Sequence, residues 1–303
     1  MMTSHIAIVG DGAIGSLLAA GAQRNQSPYS VLLRRQRPAV TNVVHMDGTS
    51  TTLHNREPVA LSSRDLLIVP VKYYQLASAI EQWRHLLCPD TPVVLLQNGM
   101  GGHEVLTSLL PDNPLYLATT SHGALKVSAQ EVKHTGMGET KLGVIAPVHG
   151  TSNEQALLNN RVTAQINACL PPVLWQQNIQ AALWEKLAIN LVINPLTAID
   201  DVTNGALKHP HYQRQIHNIC SETAMVMTAC GFPTDTQSLV ARVRKVIAQT
   251  ANNYSSMHQD IHHGRQSEIE GISGFLVRQA KKTGIDVPIN TGLYQKIRAL
   301  SLK

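Results

Sequence analysis

The most constraining feature of the sequence is a glycine-rich turn close to its beginning. The apolar run Ile6–Val9 leads directly into Gly10-Asp11-Gly12-Ala13-Ile14-Gly15, and a helical pattern then extends to Arg24. In a strand-to-helix turn of this spacing, the first glycine permits the turn, the second lets a pyrophosphate approach the backbone, and the third lets the helix pack on the strand. The helix N-terminus then faces the phosphates. The sequence therefore predicts a dinucleotide site at residues 10–15; the alternative is a tight turn without a ligand.

Short β-rich runs alternate with helical patterns after this turn, which is typical of a parallel sheet covered on both faces. The predicted strands are His5–Val9, Tyr29–Leu33, Leu66–Val71, Val93–Leu96 and Leu115–Thr120, with helices over Ala13–Arg24, Leu76–Leu87 and Glu104–Leu110. Asp47-Gly48 predicts a hairpin turn. The runs Glu131–His134 and Lys141–Val144 predict an antiparallel extension of the sheet.

From Pro171 onward the strand-like runs stop and long helical patterns follow. They cover Trp175–Asn194, Tyr212–Cys230, Gln237–Gln259, Ser267–Thr283 and Thr291–Leu300. We therefore expect an α/β chain of two domains. A Rossmann-type doubly wound sheet that binds the dinucleotide should occupy residues 1–170, and an all-helical substrate and catalytic domain should occupy residues 171–303.

Composition argues against several other classes of protein. Lys and Arg are spread along the chain, so the net charge of +5 does not indicate nucleic-acid binding, and an aromatic content of 4% leaves few rings to stack on bases. The four cysteines form no CxxC pair or metal-ligand spacing. The apolar run before Gly10 is too short for a secretion signal, and residues 187–199 are interrupted by polar residues and proline. We expect a cytoplasmic protein without a membrane segment.

Two arginines follow the second predicted strand. An NAD site usually carries an acidic residue about 20 residues beyond the glycine turn, but this chain has Arg34 and Arg35 there. A guanidinium group can donate two hydrogen bonds to a phosphate, so the pair favours NADP, with its 2′-phosphate, over NAD. A solvated basic turn that also includes Arg37 is the alternative.

Polar residues follow other predicted strands, where an open parallel sheet binds its ligands. Lys72 follows one strand, Asn98 begins a glycine-rich loop after the next, and Thr119–Ala124 can offer backbone groups to the nicotinamide side of a cofactor. Ordinary polar loops are the alternative for each. Their coincidence at one edge favours a functional site.

Lys186, Asn190 and Asn194 recur every four residues in an otherwise apolar segment, so they share one helix face. Burying such groups without partners costs about 1–3 kcal/mol each, so we expect partners in the protein or in a substrate. Hydride addition to a keto carbon leaves an alkoxide that an ammonium group can stabilise and protonate. The pattern favours Lys186 as the general acid of a carbonyl reduction; an internal polar stripe is the alternative.

Four separate segments resemble one enzyme family. They are Gly10–Gly15; Gln97–Gly101; Trp184–Asn190, continuing into Ile193–Ile199; and Ser255–Asp260, followed by Glu268-Ile269. Through them the chain resembles the 2-dehydropantoate 2-reductases, or ketopantoate reductases, over essentially its full length. The resemblance implies a Rossmann domain plus a helical domain with the active site between them, and reduction of 2-dehydropantoate to (R)-pantoate by NADPH on the route to pantothenate and coenzyme A.

The resemblance also implies roles for individual residues. Lys186 is the proton donor, and Glu268 is a catalytic acid near it and near the cofactor ribose. Arg34, which follows the strand-like Leu32-Leu33, matches the 2′-phosphate contact better than Arg35. The remaining cofactor contacts are Lys72, Asn98 and Ala124, and the substrate-binding residues are Asn98, Lys186, Asn190, Asn194, Asn204 and Ser256. The implied partner is a small 2-keto acid, bound by a monomer or homodimer.

Two features depart from the family pattern. Asp200-Asp201 makes the segment before Asn204 more acidic, and His258, His262 and His263 form an unusual enrichment in histidine. An HxxxH spacing on a helix can bind zinc. Because the carboxylate pattern of a metalloenzyme is not adjacent, we predict no metal site and leave the role of the histidines open.

Two other functions are also compatible with these sequence patterns. A 3-hydroxyacid or sugar-acid dehydrogenase of the same architecture would also place a lysine and an asparagine on this helix, but it would lack the Ser-Ser-Met segment. A non-catalytic NADP(H) sensor would bind the cofactor without turnover and would leave a buried Lys186 unexplained.

Overall fold

The computed structural model describes residues 4–35, 39–146 and 151–301. The chain divides into two compact units: one holds residues up to Gln97 together with Gly102–Ile179, and the other holds Asn98–Gly101 and Gln180 onward. The boundary expected after residue 170 falls before a short strand, Val173–Trp175. That strand pairs with Thr140–Leu142 and so belongs to the first unit.

The first unit is built from strands and helices that alternate along the chain. Its elements are β1 (Ile6–Val9), α1 (Ala13–Arg24), β2 (Tyr29–Leu32), β3 (Asn42–Val44), β4 (Ser50–Thr52), β5 (Leu66–Val69), α2 (Leu76–Trp83), β6 (Val93–Leu96), α3 (Gly102–Leu109), β7 (Leu115–Thr120), β8 (Gly123–Lys126), β9 (Glu131–Gly136), β10 (Thr140–Ala146), α4 (Ser152–Cys169) and β11 (Val173–Trp175).

The main sheet of this unit has seven strands in the order β11-β10-β7-β6-β5-β1-β2. The five strands from β7 to β2 run parallel, while β10 is antiparallel to β7. Every residue of β1, β2, β5 and β6 is buried, as expected for parallel strands covered on both faces. The predicted parallel sheet and its antiparallel extension at Lys141–Val144 are confirmed.

A second sheet of four strands was not predicted. Its order is β4-β3-β9-β8, with β3 parallel to β9. The expectation that Glu131–His134 extends the main sheet is therefore wrong, because β9 pairs with the Asn42–Val44 hairpin strand and with β8 instead. The hairpin itself is confirmed: β3 and β4 are antiparallel, and Gly48 has a φ of +83° in the turn.

Helices α1 and α4 contribute to the buried core of the first unit. Alternate strand residues such as Ile6 and Ile8 join Leu18 of α1 and Val162 of α4 in one cluster. Helix α4 was not predicted. Thr151 caps it and Glu154 completes a capping box, a pattern that is visible in the sequence.

The second unit is helical, as expected. Its helices are α5 (Ile179–Asp200), α6 (Pro210–Ala229), α7 (Thr236–Gln249), α8 (Ser256–His262), α9 (Ser273–Thr283) and α10 (Pro288–Ser301). The single helix predicted over Gln237–Gln259 is wrong, because α7 ends at Gln249 and α8 begins only at Ser256. None of the helices in the described part of the chain is both long and apolar enough to cross a membrane.

Helix α5 continues through Pro195 to Asp200. Proline has no N–H, so one carbonyl of the preceding turn loses its helical donor. The carbonyl without a helical donor is that of Leu191, four residues before the proline. The helix nevertheless continues, and the segment that carries Lys186, Asn190 and Asn194 stays one continuous element.

Candidate active site

The geometry of the glycine turn fits a dinucleotide pyrophosphate. Gly10 has a φ of +83°, which favours glycine, and a side chain at Gly15 would overlap the carbonyl oxygen of Gly10. At Gly12, a Cβ would meet none of the described atoms within 4 Å. Gly12 is the N-cap of α1, and its first turn has neither a capping side chain nor an acidic residue among the described residues. The helix N-terminus therefore has space and positive partial charge for a phosphate.

The carboxylate of Asp11 forms hydrogen bonds within the protein that stabilise this turn. The side chain is buried, and its Oδ2 accepts hydrogen bonds from Val40 N at 3.1 Å and from Lys126 Nζ at 3.3 Å. Lys126 Nζ also donates to the Asp11 carbonyl oxygen at 3.1 Å. Asp11 can therefore offer its backbone, rather than its carboxylate, to a ligand at this turn. Sequence reasoning missed Lys126 because 115 residues separate the two partners.

The other predicted cofactor residues of the first unit lie around the turn. Gly10 N donates to Leu32 O at 2.8 Å, which places the turn beside the end of β2, two residues before Arg34. Arg34 and Arg35 are exposed, and Gln82 Nε2 donates to the Arg34 carbonyl at 3.4 Å. Arg37 lies outside the described residues.

Lys72 and Ala124 are half-buried residues of the same unit. Lys72 follows β5, which pairs with β1 on the side opposite β2, and its backbone N donates to Gln75 Oε1 at 3.3 Å. Ala124 lies in β8, the strand that also carries Lys126. The end of β2, the glycine turn and the residues after β5 therefore lie next to one another at one edge of the sheet.

Lys186 and Glu268 are electrostatic neighbours in the second unit. Burial of the ammonium group lowers the pKa of Lys186 to about 8, and the negative charge of Glu268 opposes that shift. Glu268 is itself buried, in the turn that precedes α9. A lysine with this pKa stays mostly protonated at neutral pH and still releases its proton more readily than an exposed lysine, which is what a general acid requires.

The polar stripe on α5 becomes more buried away from the lysine. Lys186, whose ammonium group is buried, and Asn190 are half-buried as whole residues, whereas Asn194 is 5% exposed. All three residues lie on the same side of a helix whose other residues are largely apolar and buried. The stripe therefore offers one cation and two amides along one line.

Asn98 lies in a loop that packs against the turn that contains Glu268 and Gly271. Met100 N donates to Gly271 O at 2.8 Å. Gly99 has a φ of +82°, and a side chain there would overlap the Gly271 carbonyl, so the close approach requires glycine. The loop belongs to the same compact unit as Lys186, although it follows a strand of the first unit.

Asn204 is buried at the start of a short 3-10 helix, Asn204–Lys208. Its Nδ2 donates to Thr250 Oγ1 at 2.9 Å and its backbone N donates to Asn253 O at 2.9 Å. Its Oδ1 is buried and has no hydrogen-bond partner among the described residues. The side-chain amide of Asn204 therefore binds the segment after α7 through Nδ2, while Oδ1 can accept a hydrogen bond from a ligand or water.

The two serines of the Ser-Ser-Met segment occupy different environments. Ser255 is the buried N-cap of α8: its Oγ accepts from His258 N at 3.0 Å and is hydrogen-bonded to Thr197 Oγ1 at 2.8 Å. Ser256 begins the helix and is exposed. Ser255 therefore has a structural role that the sequence did not reveal, and Ser256 is the serine accessible to a ligand.

Comparison with known proteins decides the family. Residues 6–147 match the family described as ketopantoate reductase PanE/ApbA, and residues 178–301 match its C-terminal region. The chain belongs to the ketopantoate reductase family. A 2-dehydropantoate 2-reductase from Vibrio cholerae serotype O1 is 36% identical over 297 residues, which cover 98% of this chain and 97% of that protein.

Solved structures with the same fold include two relevant proteins. A probable 2-dehydropantoate 2-reductase from Bacillus subtilis has a TM-score of 0.78 and 28% identity, and the match covers 98% of this chain and 99% of that one. D-mandelate dehydrogenase in complex with NADH and anilino(oxo)acetate has a TM-score of 0.86 with 23% identity, covering 98% of each chain. At that identity the second likeness shows the fold alone.

Membership of the ketopantoate reductase family confirms several expectations. The family resemblance and the Rossmann-type α/β fold with a helical C-terminal region are confirmed, and the chain is an oxidoreductase. Ketopantoate reductases use NADPH, which confirms the expected cofactor. The roles of individual site residues stay predictions.

Proposed function

We propose that this protein reduces 2-dehydropantoate to (R)-pantoate with NADPH, on the route to pantothenate and coenzyme A. The observation that carries the proposal is Lys186. It is a lysine with its pKa lowered to about 8, it has the carboxylate of Glu268 as a neighbour, and it begins a stripe of amides on α5. Family membership supports the substrate.

The residues around the glycine turn suit NADPH. Under this proposal, backbone groups of Gly10–Gly15 and the N-terminus of α1 bind the pyrophosphate, and Arg34 binds the 2′-phosphate. Lys72, Ala124 and Asn98 supply further cofactor contacts, and Glu268 lies near the ribose. When bound, NADPH supplies a hydride to the keto carbon.

Lys186 acts as the general acid in this proposal. Its ammonium group donates a hydrogen bond to the substrate's keto oxygen. As the carbon–hydrogen bond forms, the π electrons of the C=O bond move to that oxygen, which takes a proton from Lys186 Nζ. Solvent then reprotonates the lysine, so one hydride and one proton convert the ketone to the alcohol. Glu268 favours the charged form of Lys186 before the reaction.

Amides and a hydroxyl bind the rest of the substrate. A 2-keto acid that also carries a hydroxyl needs donors for its carboxylate and groups that both donate and accept for its hydroxyl. Asparagine and serine supply both without adding charge. The proposed binding residues are Asn98, Lys186, Asn190, Asn194, Asn204 and Ser256.

The test is a substrate and cofactor comparison that follows NADPH absorbance. We expect turnover with 2-dehydropantoate well above that with pyruvate, a 3-oxo acid or a bulky aryl 2-keto acid, and weaker use of NADH. K186A should lose most of its kcat, whereas K245A, which removes an exposed lysine on α7, should not. Preference for another keto acid would contradict the proposed substrate, and full activity of K186A would contradict the proton donor. Cofactor binding without turnover on any of these acids would instead favour the sensor.

A further inference from the structure

A carboxylate and two histidines converge in the second unit, at the end of α5 and on α8. Asp201 Oδ1 lies 2.6 Å from His258 Nε2 and 3.8 Å from His262 Nδ1. One side-chain ligand atom from each of the three residues lies within 4.8 Å of the other two. His258 and His262 are four residues apart, so they share a helix face, and their rings are nearly parallel, at 12°. We refer to these three residues as the Asp201 cluster.

His258 is held in place by its surroundings. Its side chain is 5% exposed, and its ring stacks on Tyr254 with centroids 4.3 Å apart. Its backbone N–H is fixed to the N-cap Ser255. One ligand position of the Asp201 cluster is therefore preorganised before any ion arrives, which lowers the entropy cost of binding.

Asp201 has an unusual backbone conformation. It directly follows α5 and has a φ of +52°, a left-handed position where glycine is the common residue at a helix end. Aspartate tolerates this region better than most residues. Here the conformation places a carboxylate against two histidines, although glycine would relieve the backbone strain.

The other side of the cluster is open to solvent. The side chains of Asp201 and His262 are 72% and 60% exposed. They can therefore rotate by small amounts, and an ion can reach the fixed imidazole of His258. The two acidic residues nearest in sequence have other partners: Asp200 accepts from Tyr212 Oη at 2.7 Å, and Asp260 pairs with Arg265 at 3.1 Å.

We propose that the Asp201 cluster binds one Zn²⁺ through Asp201 Oδ1, His258 Nε2 and His262 Nδ1, with water in the fourth position. Imidazole nitrogens and a carboxylate oxygen are zinc ligands, and bonds of about 2.0–2.2 Å in a tetrahedron place the ligand atoms about 3.4 Å apart. The observed distances of 2.6 Å and 3.8 Å lie on either side of that value. The proton shared by Asp201 and His258 leaves when the metal binds.

This site departs from the sequence-based expectation of no metal. The HxxxH spacing was visible, but its carboxylate comes from the end of another helix, 57 residues earlier than His258. A bound zinc ion would link the end of α5 to α8. Those two elements carry or adjoin the proposed substrate residues Asn194, Asn204 and Ser256.

The first experiment measures zinc binding to the full chain, purified without a polyhistidine tag and stripped with a chelator. Titration with ZnCl₂ against a chromophoric indicator should give one ion per chain, and Co²⁺ should give the intense visible bands of a four-coordinate site. Zinc should also raise Tm, because it binds the folded state. Wild-type protein that binds no stoichiometric Zn²⁺ would overturn the proposal.

Two variants locate the ion without disturbing the core. H262A removes an exposed ligand, and D201N keeps a residue that tolerates a positive φ. We expect each to weaken zinc binding at least tenfold and to lose the zinc-dependent rise in Tm, while the metal-free Tm stays close to wild type. H85A, which removes an exposed histidine of the first unit, is the matched control and should bind as wild type.

A competing location is also tested. His209 and His211 form an exposed pair with Nδ1 atoms 2.6 Å apart. Zinc binding that is retained in H262A and D201N but lost in the double variant H209A/H211A would place the ion there and reject the Asp201 cluster.

Discussion

Lys186 can donate a proton only while its ammonium group is charged. Because the pKa of Lys186 is lowered to about 8, we expect kcat/KM for reduction to fall as pH rises through that value. Glu268 raises this pKa, so E268Q should move the alkaline limb of the profile to lower pH. E270Q is the matched control, because Glu270 lies two residues away and binds Tyr294 at 2.8 Å. A limb that stays in place in E268Q would contradict the assignment.

Arg34 and Arg35 are neighbouring exposed residues with different expected effects on cofactor choice. If Arg34 binds the 2′-phosphate, R34A removes a charge-assisted interaction of about 1.5–3 kcal/mol, which corresponds to roughly a tenfold or larger rise in KM for NADPH. NADH has no such phosphate, so its KM should hardly change. R35A serves as the control in the same steady-state assay. A larger effect in R35A would exchange the two roles, and equal small effects would indicate a solvated basic turn.

At the scale of the element, two adjacent serines at the start of α8 have different expected roles. Ser255 should contribute to stability, and Ser256 should contribute to substrate binding. S255A removes a buried N-cap and should lower the free energy of unfolding by about 0.5–2 kcal/mol. S256A removes an exposed hydroxyl and should leave stability nearly unchanged, while raising KM for the keto acid. Urea denaturation and steady-state kinetics on both variants make the comparison. Loss of stability in S256A with normal KM would reverse the assignment.

Local patterns allowed much of the fold to be predicted. The β1–α1 turn, the buried parallel strands and the helix that carries Lys186 all follow from residues close together in sequence. The pairing of β3 with β9 could not be predicted in this way, because Asn42 and Glu131 lie far apart in the chain. The break between α7 and α8 was missed because apolar periodicity continues across it. The boundary is marked instead by Ser255, the N-cap of α8.

The same distinction holds for the candidate site. The spacing of Lys186, Asn190 and Asn194 is a property of one helix, so the sequence alone predicts their common face. The proximity of Glu268 to Lys186 depends on how a turn between two later helices packs, and only the family resemblance indicated it. The carboxylate of Asp201 beside His258 had no local signal at all.

At the scale of the whole molecule, the proposed cofactor and substrate contacts fall largely in different compact units. We therefore expect the two ligands to protect different segments from hydrogen exchange. The glycine turn, Arg34 and Lys72 belong to the first unit, whereas the polar stripe, Asn204 and Ser256 belong to the second. We expect NADP⁺ alone to slow amide hydrogen exchange chiefly at the start of α1 and the end of β2, because ligands stabilise the segments they contact. Added pantoate should extend protection to α5 and the start of α8.

R34A provides the control for this exchange experiment. At an NADP⁺ concentration that saturates wild type, it should show weaker protection at the start of α1, and raising the concentration should restore it, because only affinity has changed. Pantoate should still protect α5 in R34A once the cofactor is saturating. Protection of α5 by NADP⁺ alone, equal to that with both ligands, would contradict the division. It would mean that the cofactor orders the proposed substrate-binding residues without any substrate present.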